Sequence, residues 1–340
     1  MTGSTVSIRR VVISGGSGFV GAATARALAE RHPECAITII DLHPPGPTHA
    51  VPASATFVQA DITDADETAK VLQCAQPDVV IHTAGIVPVL AERFARRLQS
   101  HVWRVNVEGT KNMLEAANKS GSMAFIYTSS CCAVTDDMAA AEALVLQYSS
   151  DTMPTCSLRP SVLCGPGDYQ LVPAIHACIA KWETPFVIGT GLNLWDVTYV
   201  TNIADAHVLA AENLTSSKTA AGEAFFIQNN EPITFRDFCL AIWNHFGHTP
   251  PFELYIPEWL AYFAGLVSEV STWAFGMTPT LSRGSVRDAC AVRYANGEKA
   301  RQILGYEPRV GIEDGIRMSC EDYAHRLGLE LPSRLKRKSE

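Results

Sequence analysis

The sequence predicts an α/β protein built on a doubly wound parallel sheet, with a smaller C-terminal lobe. Three observations predict it. Arg10-Val-Val-Ile-Ser14 is an apolar run suited to a buried parallel strand, and it leads through Gly15-Gly-Ser-Gly-Phe-Val-Gly21 into a helical pattern of Val20, Ala23, Ala27 and Leu28. A second strand, Ala36-Ile-Thr-Ile-Ile-Asp41, ends in an acid. The alternation then continues through Thr56-Phe-Val-Gln-Ala60, a helix from Asp64 to Ala75, a strand Asp78-Val-Val-Ile-His82, a long helical region to Lys119 and a strand from Ala124 to Thr128. Strands alternating with helices in this way place helices on both faces of one parallel sheet, the Rossmann arrangement.

Each motif in that order has a chemical reading. Gly15 permits a tight turn, Gly18 lets backbone approach a pyrophosphate, and Gly21 permits close packing of helix on strand; Ser17, Phe19 and Val20 fill the rest of the turn and the helix start. The helix N-terminus attracts the phosphate charge. Asp41 stands 20 residues beyond Gly21, where a carboxylate accepts hydrogen bonds from an adenosine ribose and repels a 2′-phosphate. The expected cofactor is therefore NAD rather than NADP. Asp61 follows the third strand and faces the crevice that binds adenine in such folds, or caps the next helix, or does both.

Composition bounds the partners. The 340 residues suit a dinucleotide-binding domain with a second lobe, expected as residues 8–168 for the first and mainly 169–330 for the second, with 197–209 and 225–227 returning to the first and a basic tail at 331–340. A net charge of −8 argues against a nucleic-acid partner. The one basic run, Arg334 to Lys338, reads as a solvated tail or an anionic-lipid contact. Ten cysteines without a Cys-x-x-Cys, and a start without a secretory pattern, read as reduced thiols facing the cytoplasm; the adjacent Cys131 and Cys132 read as packing residues rather than a strained disulfide. No histidine spacing suits a metal, so none is expected.

With 47% hydrophobic and 18% charged residues, the chain has apolar surface to spare. Its longest apolar stretch, residues 255–275, contains Glu258 and Glu269 and falls short of the ~20 apolar residues a spanning helix needs. Trp259, Tyr262, Phe263, Leu266, Val270 and Trp273 recur there at helical spacing. That face meets a membrane interface, roofs a large apolar pocket, or packs on neighbouring helices. Peripheral contact with the endoplasmic reticulum membrane is the expectation that follows, and a homodimer is left open.

Gly15-x-x-Gly18-x-x-Gly21, Asp41-Leu42, Asp61-Ile62, His82-Thr-Ala-Gly85, Asn106-Val-Glu-Gly-Thr110, Tyr127-Thr-Ser-Ser130, Leu158-Arg-Pro160 and Gly165-Pro-Gly-Asp168 together resemble the extended short-chain dehydrogenase/reductases, in the 3β-hydroxysteroid dehydrogenase branch. Thr198-Tyr-Val-Thr-Asn-Ile-Ala-Asp-Ala-His207, Gly222 to Pro232 and Leu304-Gly-Tyr-Glu-Pro308 narrow the resemblance to sterol-4α-carboxylate 3-dehydrogenases. It covers residues 8 to 327 in collinear order. It implies that Ile62, Ala84, Gly85, Thr128 and Pro160 join the cofactor site and that Ser130 orients the reacting oxygen. The implied reaction is NAD-dependent oxidation of the 3β-hydroxyl of a 4α-carboxysterol or related triterpenoid. Decarboxylation follows, because a ketone β to a carboxylate is its own electron sink. A 3β-hydroxysteroid dehydrogenase/isomerase or a specialised terpenoid dehydrogenase shares every cofactor residue.

One part of the pattern is absent. The family's serine works with a tyrosine and a lysine in Tyr-x-x-x-Lys, yet none of the nine tyrosines here has lysine four places on. The chain runs from Cys131 to Met138 directly into Ala139-Ala-Ala-Glu142-Ala-Leu-Val-Leu-Gln-Tyr148, where Glu142 and Leu144 to Leu146 match the family's residues just after the lysine. About two dozen residues are missing as one block relative to the family pattern. An altered exon boundary accounts for such a block, and so does loss of activity in an NAD-binding pseudoenzyme. Tyr148 lies about ten residues beyond the lysine slot, ~15 Å along a helix, and Tyr127 points to the opposite sheet face from Ser130, so neither replaces the tyrosine.

Overall fold

The computed structural model describes residues 8–88, 96–131, 136–275 and 282–331. Its first half alternates as the apolar pattern requires: β1 Arg10–Ser14, α1 Phe19–Arg31, β2 Ala36–Asp41, β3 Thr56–Gln59, α2 Ala65–Ala75, β4 Val79–His82, α3 Arg96–Trp103, a π-helical turn Arg104–Gly109, α4 Thr110–Lys119 and β5 Ala124–Thr128. The second half follows with α5 Asp136–Gln147, β6 Thr155–Pro160, β7 Val162–Cys164, α6 Leu171–Ala180, β8 Phe186–Ile188, β9 Leu194–Trp195, β10 Val197–Tyr199, α7 Val200–Thr215 and β11 Glu223–Ile227. The last elements are β12 Ile233–Thr234, α8 Phe235–His245, β13 Leu254–Ile256, α9 Glu258–Phe275, α10 Arg283–Cys290, α11 Glu298–Leu304 and α12 Ile312–Leu327.

Seven strands form one sheet in the order β11-β6-β5-β4-β1-β2-β3, and every pairing within it is parallel. The chain winds outward from β1 in one direction and then from β4 in the other. The order therefore reverses between β1 and β4, which is where open α/β sheets form their ligand crevice. β1 and β4 are apolar and buried nearly throughout because helices cover both faces. One face packs Ala25 and Leu28 of α1 against Ile203 and Leu214 of α7. The other packs Leu72 of α2, Met113 and Leu114 of α4, and Ala141 and Val145 of α5.

A separate apolar cluster holds Val172, Trp195, Phe238, Ile242, Trp243 and Cys320, drawn from α6, β9, α8 and α12. Around it lie three two-stranded sheets, β10 with β7, β12 with β9 and β13 with β8. The strand 223–227 returns to the edge of the main sheet beside β6, and α7 packs along α1.

In the helices of the first half, sequence expectation and structure differ at the cap of α2 and before α4. Asp64, not Asp61, caps α2: its carboxylate accepts from the Asp66 and Glu67 amides, while Asp61 turns its own carboxylate onto Thr63. The long helical region before Lys119 is broken by the π-helical turn, where Gly109 leaves room for Ile62; a Cβ there would stand 2.7 Å from the Ile62 Cδ1. The nine described cysteines are thiols rather than disulfides, and Cys132 and the basic run Arg334 to Lys338 lie outside the described residues.

Candidate active site

The glycine turn is built by close approach on three sides. Gly15 has φ +70°, and a Cβ on it would stand 2.6 Å from the Ala84 amide nitrogen, so the loop after β4 backs directly onto the turn. Gly16, which the motif reading passed over, is equally confined, since its Cβ would lie 2.5 Å from the Ile39 Cβ; the Gly-Gly doublet was the available signal. A Cβ on Gly21 would strike the Gly15 carbonyl oxygen. The helix therefore packs on the turn itself rather than on the strand. Gly18 has extended backbone and heads α1 without a side-chain cap, leaving its first amides to another acceptor.

Asp41 ends β2 beside this turn. Its Oδ2 accepts from the Ser17 amide at 3.1 Å and its Oδ1 from the Leu42 amide at 2.8 Å. The Ser17 Oγ is buried and has no hydrogen-bond partner among the described residues. Phe19 and Val20 turn their side chains to protein: Phe19 lies 5.9 Å from the His49 ring and Val20 packs on the sheet core. Ile62 is likewise a core residue against Gly109, Gly85 is exposed, and Ala84 is half-buried against Gly15.

Beneath the turn runs a buried polar chain. The Thr110 hydroxyl donates to the Asn106 carbonyl at 2.6 Å, so His82 Nε2 donates to Thr110 at 2.9 Å and Ser14 Oγ donates to His82 Nδ1 at 2.5 Å. Burial holds His82 neutral, with its pKa pushed down to about 3. Asn106, on the π-helical turn, ties three segments together. Its Oδ1 accepts from the Ile86 amide at 2.7 Å, and its Nδ2 donates to the Ile86 carbonyl at 3.0 Å and to Asp137 Oδ2 at 2.7 Å.

At the end of β5 the chain fans out. Thr128 donates its hydroxyl to His207 Nε2 at 2.7 Å, because His207 Nδ1 donates to the Ile203 carbonyl at 2.8 Å; burial pushes the His207 pKa down to about 4. Ser129 Oγ donates to Glu142, which also receives Arg159 Nε at 2.7 and 3.0 Å on its two oxygens. Ser130 follows, half-buried, and Cys131 donates its amide to the carbonyl of the buried Pro160 at 2.8 Å. Tyr127 is buried with its ring 5.7 Å from that of His82, and burial, then Glu142 and Asp137, raise its hydroxyl pKa. Tyr148 packs on the core cluster just beyond α5.

The structure thus gathers Gly15, Ser17, Gly18, Gly21, Asp41 and Ala84 around one turn, and Ser130 and Pro160 around the end of β5. Asp61 lies at the end of β3, and the side chains of Ile62, Phe19, Val20 and Thr128 are spent on packing or on His207. A cavity of about 400 Å³ lined by Ile188, Thr190, Asn193, Pro257, Glu258 and Cys290 lies elsewhere, at the start of α9.

A parallel sheet with a glycine turn at its reversal and a serine after the fifth strand defines a dinucleotide-binding oxidoreductase scaffold. The chain belongs to the 3-beta hydroxysteroid dehydrogenase/isomerase family of the extended short-chain dehydrogenases. That family's model matches residues 136–257, and the model of the NAD dependent epimerase/dehydratase family matches residues 11–139. A decarboxylating sterol-4-alpha-carboxylate 3-dehydrogenase of Schizosaccharomyces pombe is 36% identical over 89% of this chain and 94% of its own. The corresponding Saccharomyces cerevisiae protein is 32% identical over 91% and 96%, and that of Mus musculus 28% over 96% and 94%. Among solved structures, a UDP-glucose 4-epimerase of Thermotoga maritima superposes with a TM-score of 0.72 at 18% identity, covering 94% of this chain and 99% of its own. At that identity it shares the fold.

The two buried histidines predict an acid limb to stability. Both have folded pKa values below the ordinary ~6.5, so their contribution is complete above that value and is lost as pH falls toward about 4 for His207 and about 3 for His82. Urea unfolding should give a constant free energy from pH ~8 to ~7. It should then lose roughly 1.4 kcal/mol per histidine per pH unit below pH ~6. A free energy unchanged between pH ~7 and ~5 would show that these rings take up protons in the folded state.

Proposed function

We propose that this chain is an NAD-dependent dehydrogenase scaffold for the 3β-hydroxyl of a 4α-carboxysterol or related triterpenoid, with decarboxylation following oxidation. The supporting observation is similarity over 89% of the chain to the Schizosaccharomyces pombe sterol-4-alpha-carboxylate 3-dehydrogenase, joined to a glycine turn that no side chain can enter. Bound NAD supplies the hydride acceptor. In this reading the uncapped amides of α1 and the unpartnered Ser17 hydroxyl receive its pyrophosphate, and Asp41 receives the adenosine ribose. Asp61 lies toward the adenine, Ala84, Gly85 and Pro160 line the path to the nicotinamide, and Ser130 orients the sterol oxygen.

A second reading has its own observation. With the Tyr-x-x-x-Lys segment missing, only residues 132–135 separate Cys131 from the start of α5, and the described tyrosines nearest Ser130 are buried or beyond the helix. The chain as written then binds NAD and oxidises sterols poorly.

We propose further that α9 rests on a membrane surface. Trp259, Leu260, Phe263, Leu266 and Val267 form one exposed stripe along it, with Trp259 at 71% and Phe263 at 60% exposure, and the exposed Leu254 and Tyr255 precede it. Tyr262 is not part of the stripe; it faces Arg283 and Arg287 of α10. The side chains of Val270 and Trp273 lie outside the described residues. No helix among the described residues is long and apolar enough to cross a membrane.

Three measurements test these readings. Asp41→Ala should weaken NAD much more than NADP in equilibrium binding, and equal losses would remove Asp41 from the ribose. Inserting a family-like Tyr-x-x-x-Lys block between Asp137 and Ala139 should raise sterol oxidation by roughly 100 to 10,000-fold, the usual range for general acid–base assistance; a native chain already as fast would show that the missing pair is dispensable. In vesicle sedimentation, Trp259→Glu with Phe263→Glu should abolish binding to lipid, whereas equal retention of the native and variant chains would place the membrane contact elsewhere, and no binding by either would exclude it.

A further inference from the structure

With the tyrosine and lysine missing, the shortened α5 begins with an acid, Asp137, in its first turn. Four titratable side chains near the end of β5 are committed. Tyr127 is buried with its pKa raised, Glu142 is held on both oxygens by Arg159, His82 is enclosed between Ser14 and Thr110, and His207 is fixed between Thr128 and Ile203. Asp137 differs. It is half-buried in the first turn of α5, one oxygen is held by Asn106 Nδ2 at 2.7 Å, and its other oxygen, Oδ1, receives no hydrogen bond from any described residue. Asn106 simultaneously grips both polar groups of the Ile86 backbone, so Asp137 is pinned over the loop that leaves β4, beside the strand whose end carries Ser130. The π-helical turn that presents Asn106 is an irregularity of the kind that clusters at functional sites.

We propose that Asp137 accepts the hydroxyl proton in the residual alcohol oxidation of this chain. The assignment rests on the sterol dehydrogenase reading above. As written, the O–H bond breaks toward the Asp137 carboxylate and a C=O bond forms at the carbinol carbon. That carbon's C–H bond leaves with its electron pair as hydride to the oxidised nicotinamide, the electron acceptor in the proposed reaction. The half-exposed carboxyl then returns the proton to solvent. A carboxylate is a far weaker base than the phenolate it replaces, so the step is slow, in keeping with poor turnover. An acid in the first turn of a helix also suits the helix dipole without any catalytic role, and the test must separate the two.

The test compares the native chain with Asp137→Ala and Asp137→Asn. Binding of a 3β-hydroxysterol and of its 3-deoxy analogue, followed by quenching of tryptophan fluorescence with NAD present, reads contact with the hydroxyl without turnover. The native chain should prefer the hydroxysterol by about 10-fold, as a charge-assisted hydrogen bond allows. Asp137→Ala should lose that preference. Asp137→Asn, whose oxygen still accepts from Asn106 and whose amide NH2 can donate to the sterol oxygen but cannot take a proton, should retain part of the preference while residual turnover falls at least 10-fold. Added sodium formate should restore turnover to Asp137→Ala in proportion to its concentration, and sodium chloride at equal ionic strength should not. A hydroxyl preference unchanged in Asp137→Ala, or turnover unchanged in Asp137→Asn, overturns the assignment. The chain carrying the inserted Tyr-x-x-x-Lys block separates the two claims. If that chain binds and oxidises the sterol while the native chain shows no hydroxyl preference, Asp137 alone is excluded; if it neither binds nor oxidises sterol, the sterol reading fails and the assignment with it.

Discussion

The ligand edge of this molecule depends on how closely the turn at Gly15 meets its neighbours. The turn touches the loop after β4 through Ala84, the second strand through Ile39 and its own helix through Gly21, and no position in that triangle has room for a Cβ. Backbone packed on backbone fixes the start of α1 against the ends of β1, β2 and β4. Asp41 can then reach the Ser17 amide, and the loop at Ala84 to Ile86 is held where Asn106 can grip it. The buried chain from Ser14 through His82 to Thr110 braces the same region from below, and its histidine stays neutral because charging it there would strand a cation away from water.

The shortened segment after β5 shows how far a site can lose its chemistry and keep its frame. What remains of the helix is tied down by Ala141 and Val145 in the core and by Glu142, almost wholly buried, against Arg159 on β6. Removing one partner of such a pair leaves an uncompensated buried charge, at a cost of about 3–5 kcal/mol. The pair therefore holds α5 on the sheet whether or not a tyrosine and lysine precede it. Folding and proton transfer are separable here because they use different turns of one helix.

The lobe makes the opposite use of its surface. Its inner residues, Trp195, Phe238 and Trp243 among them, make a compact cluster, while α9 turns Trp259, Phe263 and Leu266 outward. Large apolar side chains exposed along one stripe are costly in water unless a surface covers them, so the helix that the sequence left between a membrane contact, a pocket roof and ordinary packing becomes a candidate contact once its neighbours are known.

The sequence by itself determined the alternation of strands and helices, the glycine turn and the acid at Asp41, because burial on both sheet faces and a turn without side chains leave local, periodic marks. Strands 10–14, 36–41 and 124–128 were legible to the residue for that reason. It also revealed the missing Tyr-x-x-x-Lys, an absence that needs only a count. Tertiary structure decided the rest. The sequence offered Asp61 as the cap of the next helix, and only the geometry of the turn gives the amides to Asp64. Thr128 belongs to a motif that points to a cofactor, yet a histidine 79 residues away takes its hydroxyl. Asn106 and Asp137 meet from segments far apart in the chain, through a contact that has no period and so leaves no local trace. That is the physical limit: periodicity encodes which face is buried, and only the folded chain decides which polar groups meet.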